Sequence, residues 1–293
     1  MRLGAIVLQS QPWTDARSTW QQVEHSGFDV GYVADHLTHS TMAGQWWADG
    51  WTTLAAAAQV TARLQLGTLV ASAAVRNPAA LARAAATLHD LSNGRFVLGL
   101  GAGTATDSVA DRGVALTAGQ LAGRYAEVVE ALRALWAGAS TYQGSHVATD
   151  GVVVAALPDH LAPPPLLLAA HGPRGYDLVA RHADGWSTYG GPAATRLAGD
   201  DLWAALAGQL RSVEQACAGH DRDPAELRRS VLLGYGPDRP LADAATYAAS
   251  VARARDIGFD EVVVYWPNGA PGDRFWADPA VVADGVARAR HEV

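Results

Sequence analysis

The sequence contains no lysine, so all 22 of its fixed positive charges are arginines. Aspartate and glutamate together number 29, and the formal net charge is −7. The missing lysine reads as a compositional bias with little chemical weight. The acidic balance is more informative: it argues against nucleic-acid and anionic-membrane surfaces, since both need clustered Lys/Arg. Cys217 is the only cysteine, which excludes an intrachain disulfide. No stretch reaches the roughly 18–20 uninterrupted apolar residues of a membrane span. Met1-Arg2-Leu3 leads straight into a short apolar run without a long signal-type segment, so the expected location is the cytoplasm. GxSxG, P-loop, CxxC and HExxH patterns are absent, leaving serine-hydrolase, NTPase, dithiol and zincin chemistry without support.

What is present is apolar and periodic. Hydrophobic residues make up 49% of the 293 and charged residues 17%, enough for a large core. Short apolar runs over 3–8, 30–34, 64–70, 96–101, 166–170, 185–189, 230–234 and 261–266 predict eight strands. Helical periodicity predicts helices over 16–26, 50–62, 78–91, 119–137, 175–182, 201–218, 243–257 and 279–291. The clearest stripe is Leu121, Tyr125, Val128, Val129, Leu132, Leu135 and Trp136, closed by Gly138. Eight β/α units of this length predict an α/β fold, a (β/α)8 TIM barrel of roughly 250 residues, as a single domain over 1–293. Strands rich in Val, Leu and Ala fit a parallel sheet covered on both faces. Residues 142–165 break the rhythm and predict an insertion between strands four and five, with a small hairpin near 151–156.

Active sites of such barrels gather at the carboxyl ends of the strands. Asp35-His36 ends strand two. A histidine exchanges protons near neutral pH, and an adjacent carboxylate orients it or binds a polar ligand edge. The same pair also reads as a strand end capping backbone groups. Metal binding by Asp35, His36 and His39 lacks a second ligand cluster, so no metal is expected. Gly172-Pro173-Arg174 opens a helix whose free N–H groups and positive dipole end suit a phosphate, although Gly-Pro also begins helices with no ligand. Phosphate sites in these barrels more often follow strands seven and eight. Gly99-Leu100-Gly101-Ala102-Gly103 has GxGxG spacing rather than the dinucleotide GxGxxG. Its small residues read as room for a flat ring against the backbone. Trp46, Trp47 and Trp51 wall either an apolar pocket or a packing surface, while Tyr189, Tyr235 and Trp266 read as rim aromatics.

Together these segments resemble the luciferase-like monooxygenases and their deazaflavin-dependent relatives. The resemblance runs through Gly27-Phe28-Asp29, Val33-Ala34-Asp35-His36-Leu37, the segment from Arg63 to Val70, and Arg76-Asn77-Pro78. It continues from Leu91 to Gly103, at Arg124-Tyr125, and from Gly172 to Trp186, and it fades after Tyr189. It implies an oxidoreductase with F420 or FMN at the strand ends, and a homodimer. Asp35 and His36 would lie beside the ring as the catalytic pair. Leu69 and Val70 would form the bulge behind it, often with a non-prolyl cis peptide, and Thr68 would bind the cofactor beside them. Ala102, Gly103 and His171 would also contact the cofactor, and Gly172, Pro173 and Arg174 would face its phosphate. F420-dependent hydride transfer to or from a small organic substrate is the favoured expectation. An FMN-dependent monooxygenase, served by a separate reductase, is the alternative, and a non-catalytic flavin- or ligand-binding barrel is a further one. Thr104-Ala105-Thr106 departs from the Trp or Glu that the family often carries there.

Overall fold

The computed structural model describes residues 1–37, 44–152 and 161–291. Nine strand segments form one parallel sheet that closes on itself: β1 (Arg2–Ile6), β2 (Val30–Val33), β3 (Gln65–Thr68), β4 (Ala71–Ser72), β5 (Phe96–Gly101), β8 (Leu166–Ala169), β9 (Gly185–Thr188), β10 (Arg228–Leu232) and β11 (Glu261–Tyr265). β3 and β4 are two parts of one barrel strand, so the barrel has the eight staves expected. Closure is seen at β1, where Gly4 lies between Val30 of β2 and Val263 of β11. The remaining pair of strands, β6 (Tyr142–Gln143) and β7 (Ala148–Thr149), makes an antiparallel hairpin between β5 and β8. It lies upstream of the position expected from sequence; residues 153–160 are outside the described set.

The outer layer consists of α1 (Trp13–His25), α2 (Gly50–Ala58), α3 (Pro78–Leu91), α4 (Ala105–Arg112), α5 (Ala118–Trp136), α6 (Pro173–His182), α7 (Gly199–Ala218), α8 (Ala244–Ile257) and α9 (Pro279–His291). Their starts follow local chemistry. Asn77 accepts from the N–H groups of Ala79 and Ala80 ahead of Pro78, and Thr117 with Gln120 forms a reciprocal capping box on α5. The α5 stripe buries Tyr125, Val128, Val129, Leu132 and Leu135 against the sheet. Among the described residues, α4 is the one α-helix not anticipated. Its sequence ATDSVADR has no apolar stripe, so periodicity is silent.

Two apolar layers result. One lies between sheet and helices; the other fills the barrel with Ile6, Val30, Tyr32, Leu69, Val97, Leu167 and Val263. The amino-terminal end is closed by a polar plug around buried Glu261. That carboxylate accepts from Tyr32 Oη at 2.9 Å, Ser230 Oγ at 3.0 Å and Arg2 Nε at 3.1 Å. Plug and packed interior together close that end of the barrel and leave the carboxyl ends of the strands as the open face. Among the described residues, no helix is long and apolar enough to cross a membrane.

Candidate active site

At that open face lies a cavity of about 1560 Å³. Ligand pockets commonly span about 300–1,000 Å³, so there is room for an extended cofactor and a second molecule beside it. Its wall combines an acid–base pair, an apolar bulge, a helix N-terminus and a group of aromatic rings.

The acid–base pair is His36 with Asp107. His36 Nδ1 lies 3.1 Å from Asp107 Oδ2, and the imidazole lines the cavity, 29% exposed, whereas the carboxylate is fully buried. Asp107 also accepts from Thr104 Oγ1 at 2.9 Å and from the Leu37 N–H at 3.3 Å. Burial works against its charge, but the hydrogen bonds from His36, Thr104 and Leu37 outweigh it and hold the carboxyl below its ordinary range. A charged acceptor on Nδ1 orients the ring and stabilises an imidazolium. Sequence reasoning missed Asp107. The available signal was Thr104-x-x-Asp107, a helix-start pattern in which Thr104 accepts from the Asp107 N–H at 3.0 Å.

Asp35, expected beside His36 as its partner and as a ligand contact, is placed elsewhere. Its carboxylate is 5% exposed, accepts from both Nε and Nη2 of Arg76 in a bidentate pair, and accepts from Trp51 Nε1 at 3.2 Å. It is absent from the cavity wall. Both residues lie just past the end of β2, and these neighbours in sequence separate into a clamp and a cavity residue. The three tryptophans divide similarly. Trp47 lines the cavity and donates to the His36 carbonyl at 3.2 Å, Trp51 packs on Phe96 beneath Arg76, and Trp46 is 63% exposed.

Leu69 and Val70 interrupt the third stave, joined by a cis peptide, and both face the cavity. The strand-four glycines are explained largely by this bulge. A Cβ on Gly99 would lie 1.9 Å from the Thr68 carbonyl oxygen, and one on Gly101 would lie 2.6 Å from a Val70 methyl. The space read from sequence as room for a flat ring is thus partly filled by the chain's own backbone. Thr68 donates to the Gly99 carbonyl at 2.7 Å and is fully buried, away from the cavity wall. Ala102 and Gly103 do line the cavity.

His171, Gly172, Pro173 and Arg174 also lie on the wall, where Gly172 caps α6 and Pro173 is its first residue. Gly172 differs from the glycines above. Its φ of −162° suits any residue, and a Cβ there would meet nothing within 4 Å. Nothing in the chain's own packing requires glycine at this helix N-terminus, where small size permits close approach by an anion. His171 is half-buried; burial pushes its pKa down to about 4. Tyr189, Tyr235, Tyr265 and Phe275 form the aromatic part of the wall, with Tyr189–Tyr235 centroids 4.7 Å apart and Tyr265–Phe275 4.1 Å apart. Tyr189 and Tyr235 are therefore cavity residues rather than mere rim aromatics. Trp266 is the exception, buried against Phe28. Among the described residues no cluster of three His, Cys, Asp or Glu could hold a metal ion; His39 is outside that set.

The family profile described as luciferase-like monooxygenase matches residues 1–257. The chain belongs to the luciferase-like monooxygenase family. An uncharacterized protein from Mycobacterium tuberculosis is 31% identical over 280 residues, covering 86% of this chain and 98% of its own. An F420-dependent glucose-6-phosphate dehydrogenase from Beutenbergia cavernae is 33% identical, covering 82% of this chain and 70% of the enzyme. Among solved structures, an F420-dependent secondary alcohol dehydrogenase in complex with an F420-acetone adduct superposes with a TM-score of 0.80 at 20% identity, covering 99% of both chains. That last likeness is one of fold.

Proposed function

We propose that this protein is an F420-dependent oxidoreductase acting on a small organic alcohol or carbonyl compound. The observation that carries the proposal is the His36–Asp107 pair, set on the wall of the same cavity as the α6 N-terminus. The residues fit such a cofactor. The N–H groups after Gly172, with Arg174, suit its phosphate, and Gly172 leaves open the space a Cβ would fill. Leu69 and Val70 offer an apolar backing for the ring. When bound, F420 supplies hydride transfer at its deazaflavin ring. The chain's share is then to orient the substrate, exclude water and move one proton. His36, oriented through Nδ1 by Asp107, is the group placed to exchange that proton, and Asp107 stabilises the charged imidazole. The aromatic wall suits an apolar substrate body and keeps water away from the reacting atoms.

FMN-dependent oxygenation is the second reading, favoured by that same aromatic wall, and it would call on a separate reductase. We also place the protein in the cytoplasm, as one domain over 1–293, working as a homodimer. Exposed Leu37, Val109 and Val114 support a dimer, because they lie in two segments that meet at the Leu37–Asp107 hydrogen bond.

Paired titration of the purified protein with F420 and with FMN, read by fluorescence quenching, tests the proposal. Preference for F420, followed by its reduction in the presence of secondary alcohols, is the expected result. Preference for FMN with substrate-dependent oxygen uptake would establish the second reading. Binding of neither would refute both.

A further inference from the structure

We infer that His171 is locked as its Nδ1–H tautomer and presents the Nε2 lone pair to the cavity as an acceptor for a ligand hydroxyl. The inference rests on an accounting of one partly buried hydrogen-bond chain. It begins at the Gly190 carbonyl, which accepts from Gln209 Nε2 at 2.8 Å. A carbonyl can only accept, so the Gln209 amide nitrogen must point toward it. Gln209 Oε1 then faces Thr188 Oγ1 at 2.6 Å and must accept the threonine's single hydroxyl proton. Thr188 has two lone pairs left. One takes the Gly190 N–H at 2.8 Å, and the other faces His171 Nδ1 at 3.1 Å. Only a protonated Nδ1 satisfies that contact; the opposite tautomer would set two lone pairs against each other.

Burial supplies the second half. Without an acidic neighbour to favour the charged form, desolvation keeps the imidazole neutral near pH 7. Neutral with Nδ1 protonated, the ring carries its lone pair on Nε2. His171 lines the cavity, and its Nε2 has no hydrogen-bond partner among the described residues, yet it is not among the enclosed, unsatisfied polar atoms. Nε2 is therefore open to a ligand. Tyr189 edge-on at 4.5 Å and the backbone of Gly191 hold the ring in place.

A fixed acceptor one residue before the α6 N-terminus suits a donor close to a phosphate. In F420 and in FMN, that donor is a hydroxyl of the polyol chain joining ring to phosphate. This assignment of the ligand rests on the proposed function, whereas the tautomer lock does not. A hydroxyl on the substrate would use the same chemistry, and the tests separate the two.

The lock is read directly by two-bond 1H–15N correlation of the histidine rings in ligand-free protein near pH 7, with His171→Phe identifying the resonance. Protonation at Nδ1 is expected in the wild type. It should shift to Nε2 in Thr188→Val and return in Thr188→Ser. Nε2 protonation in the wild type would overturn the inference. The ligand is read by quenching titrations with riboflavin and with lumiflavin, the same ring without the hydroxylated chain. His171→Phe should weaken riboflavin about five- to tenfold, the worth of one hydrogen bond, and leave lumiflavin unchanged. Equal effects on both, or none on either, would overturn the polyol assignment. A raised KM for an alcohol substrate with unchanged riboflavin affinity would likewise overturn it in favour of the substrate hydroxyl. Wild-type protein that binds neither flavin nor F420 refutes the proposed function and this assignment with it, while the ring spectra still decide the lock.

Discussion

Replacing Asp35 by asparagine separates the role suggested by its place in the sequence from the role suggested by its surroundings. The side chain keeps its shape and loses its charge. In the wild type that carboxylate accepts from Nε and Nη2 of Arg76 and from Trp51, while burial of Arg76 is outweighed by Asp35 so that the guanidinium pKa is raised. Removing one partner of a buried ion pair typically costs about 3–5 kcal/mol. Here Arg76 is 29% exposed and has Asp49 at 3.7 Å as a second carboxylate, so part of the loss is recovered. The expected destabilisation is about 2–3 kcal/mol, a fall in Tm of roughly 4–6 °C for a chain of this size. Urea and thermal denaturation measure it. Adding Arg76→Gln should add less than its own single effect, because the pair is already broken. Affinity for F420 or FMN, followed by quenching, should stay within about threefold, less than the tenfold that corresponds to 1.4 kcal/mol. Unchanged stability with a tenfold or greater loss of cofactor affinity would refute the clamp and return Asp35 to the ligand.

Three further outcomes follow from the same geometry. Gly99→Ala should prevent folding or cost more than about 4 kcal/mol, because its Cβ would lie 1.9 Å from a backbone oxygen in the barrel wall; yield of soluble protein and circular dichroism test this. Gly172→Ala should leave Tm unchanged and weaken phosphate-bearing cofactors several-fold more than their dephosphorylated forms; equal weakening would remove Gly172 from the phosphate site. Stability should fall as pH drops from 6.5 to about 4, since the unfolded chain takes up a proton that folded His171 resists. The contribution is at most about 3 kcal/mol. Buried His89 is lowered as well and adds to the slope, so the measure is the difference between wild type and His171→Phe in urea midpoints across that range.

Much of this architecture was already legible in local chemistry. Strands buried on both faces read as unbroken apolar runs, Asn77-Pro78 and Gly172-Pro173 mark helix starts through capping and fixed φ, and α5 repeats its apolar residues at helical spacing. These signals depend on residues within a turn or two of each other. For the same reason His36 could be singled out as a strand-end histidine. Its partner could not, because Asp107 reaches it only after α4, a helix without an apolar stripe, is laid across the barrel mouth. Asp35 shows the converse. Adjacency in sequence suggested a pair, but in the segment after β2 the two side chains part, and Asp35 meets Arg76, 41 residues on. The glycines of β5 were read as space for a ligand, whereas only the packed barrel brings Thr68 and Val70 into that space. The tautomer of His171 is the most distant from sequence. It is set by a hydroxyl of β9, a carbonyl just after it and an amide of α7, and hydrogen-bond direction along such a chain exists only once the fold brings all of them together.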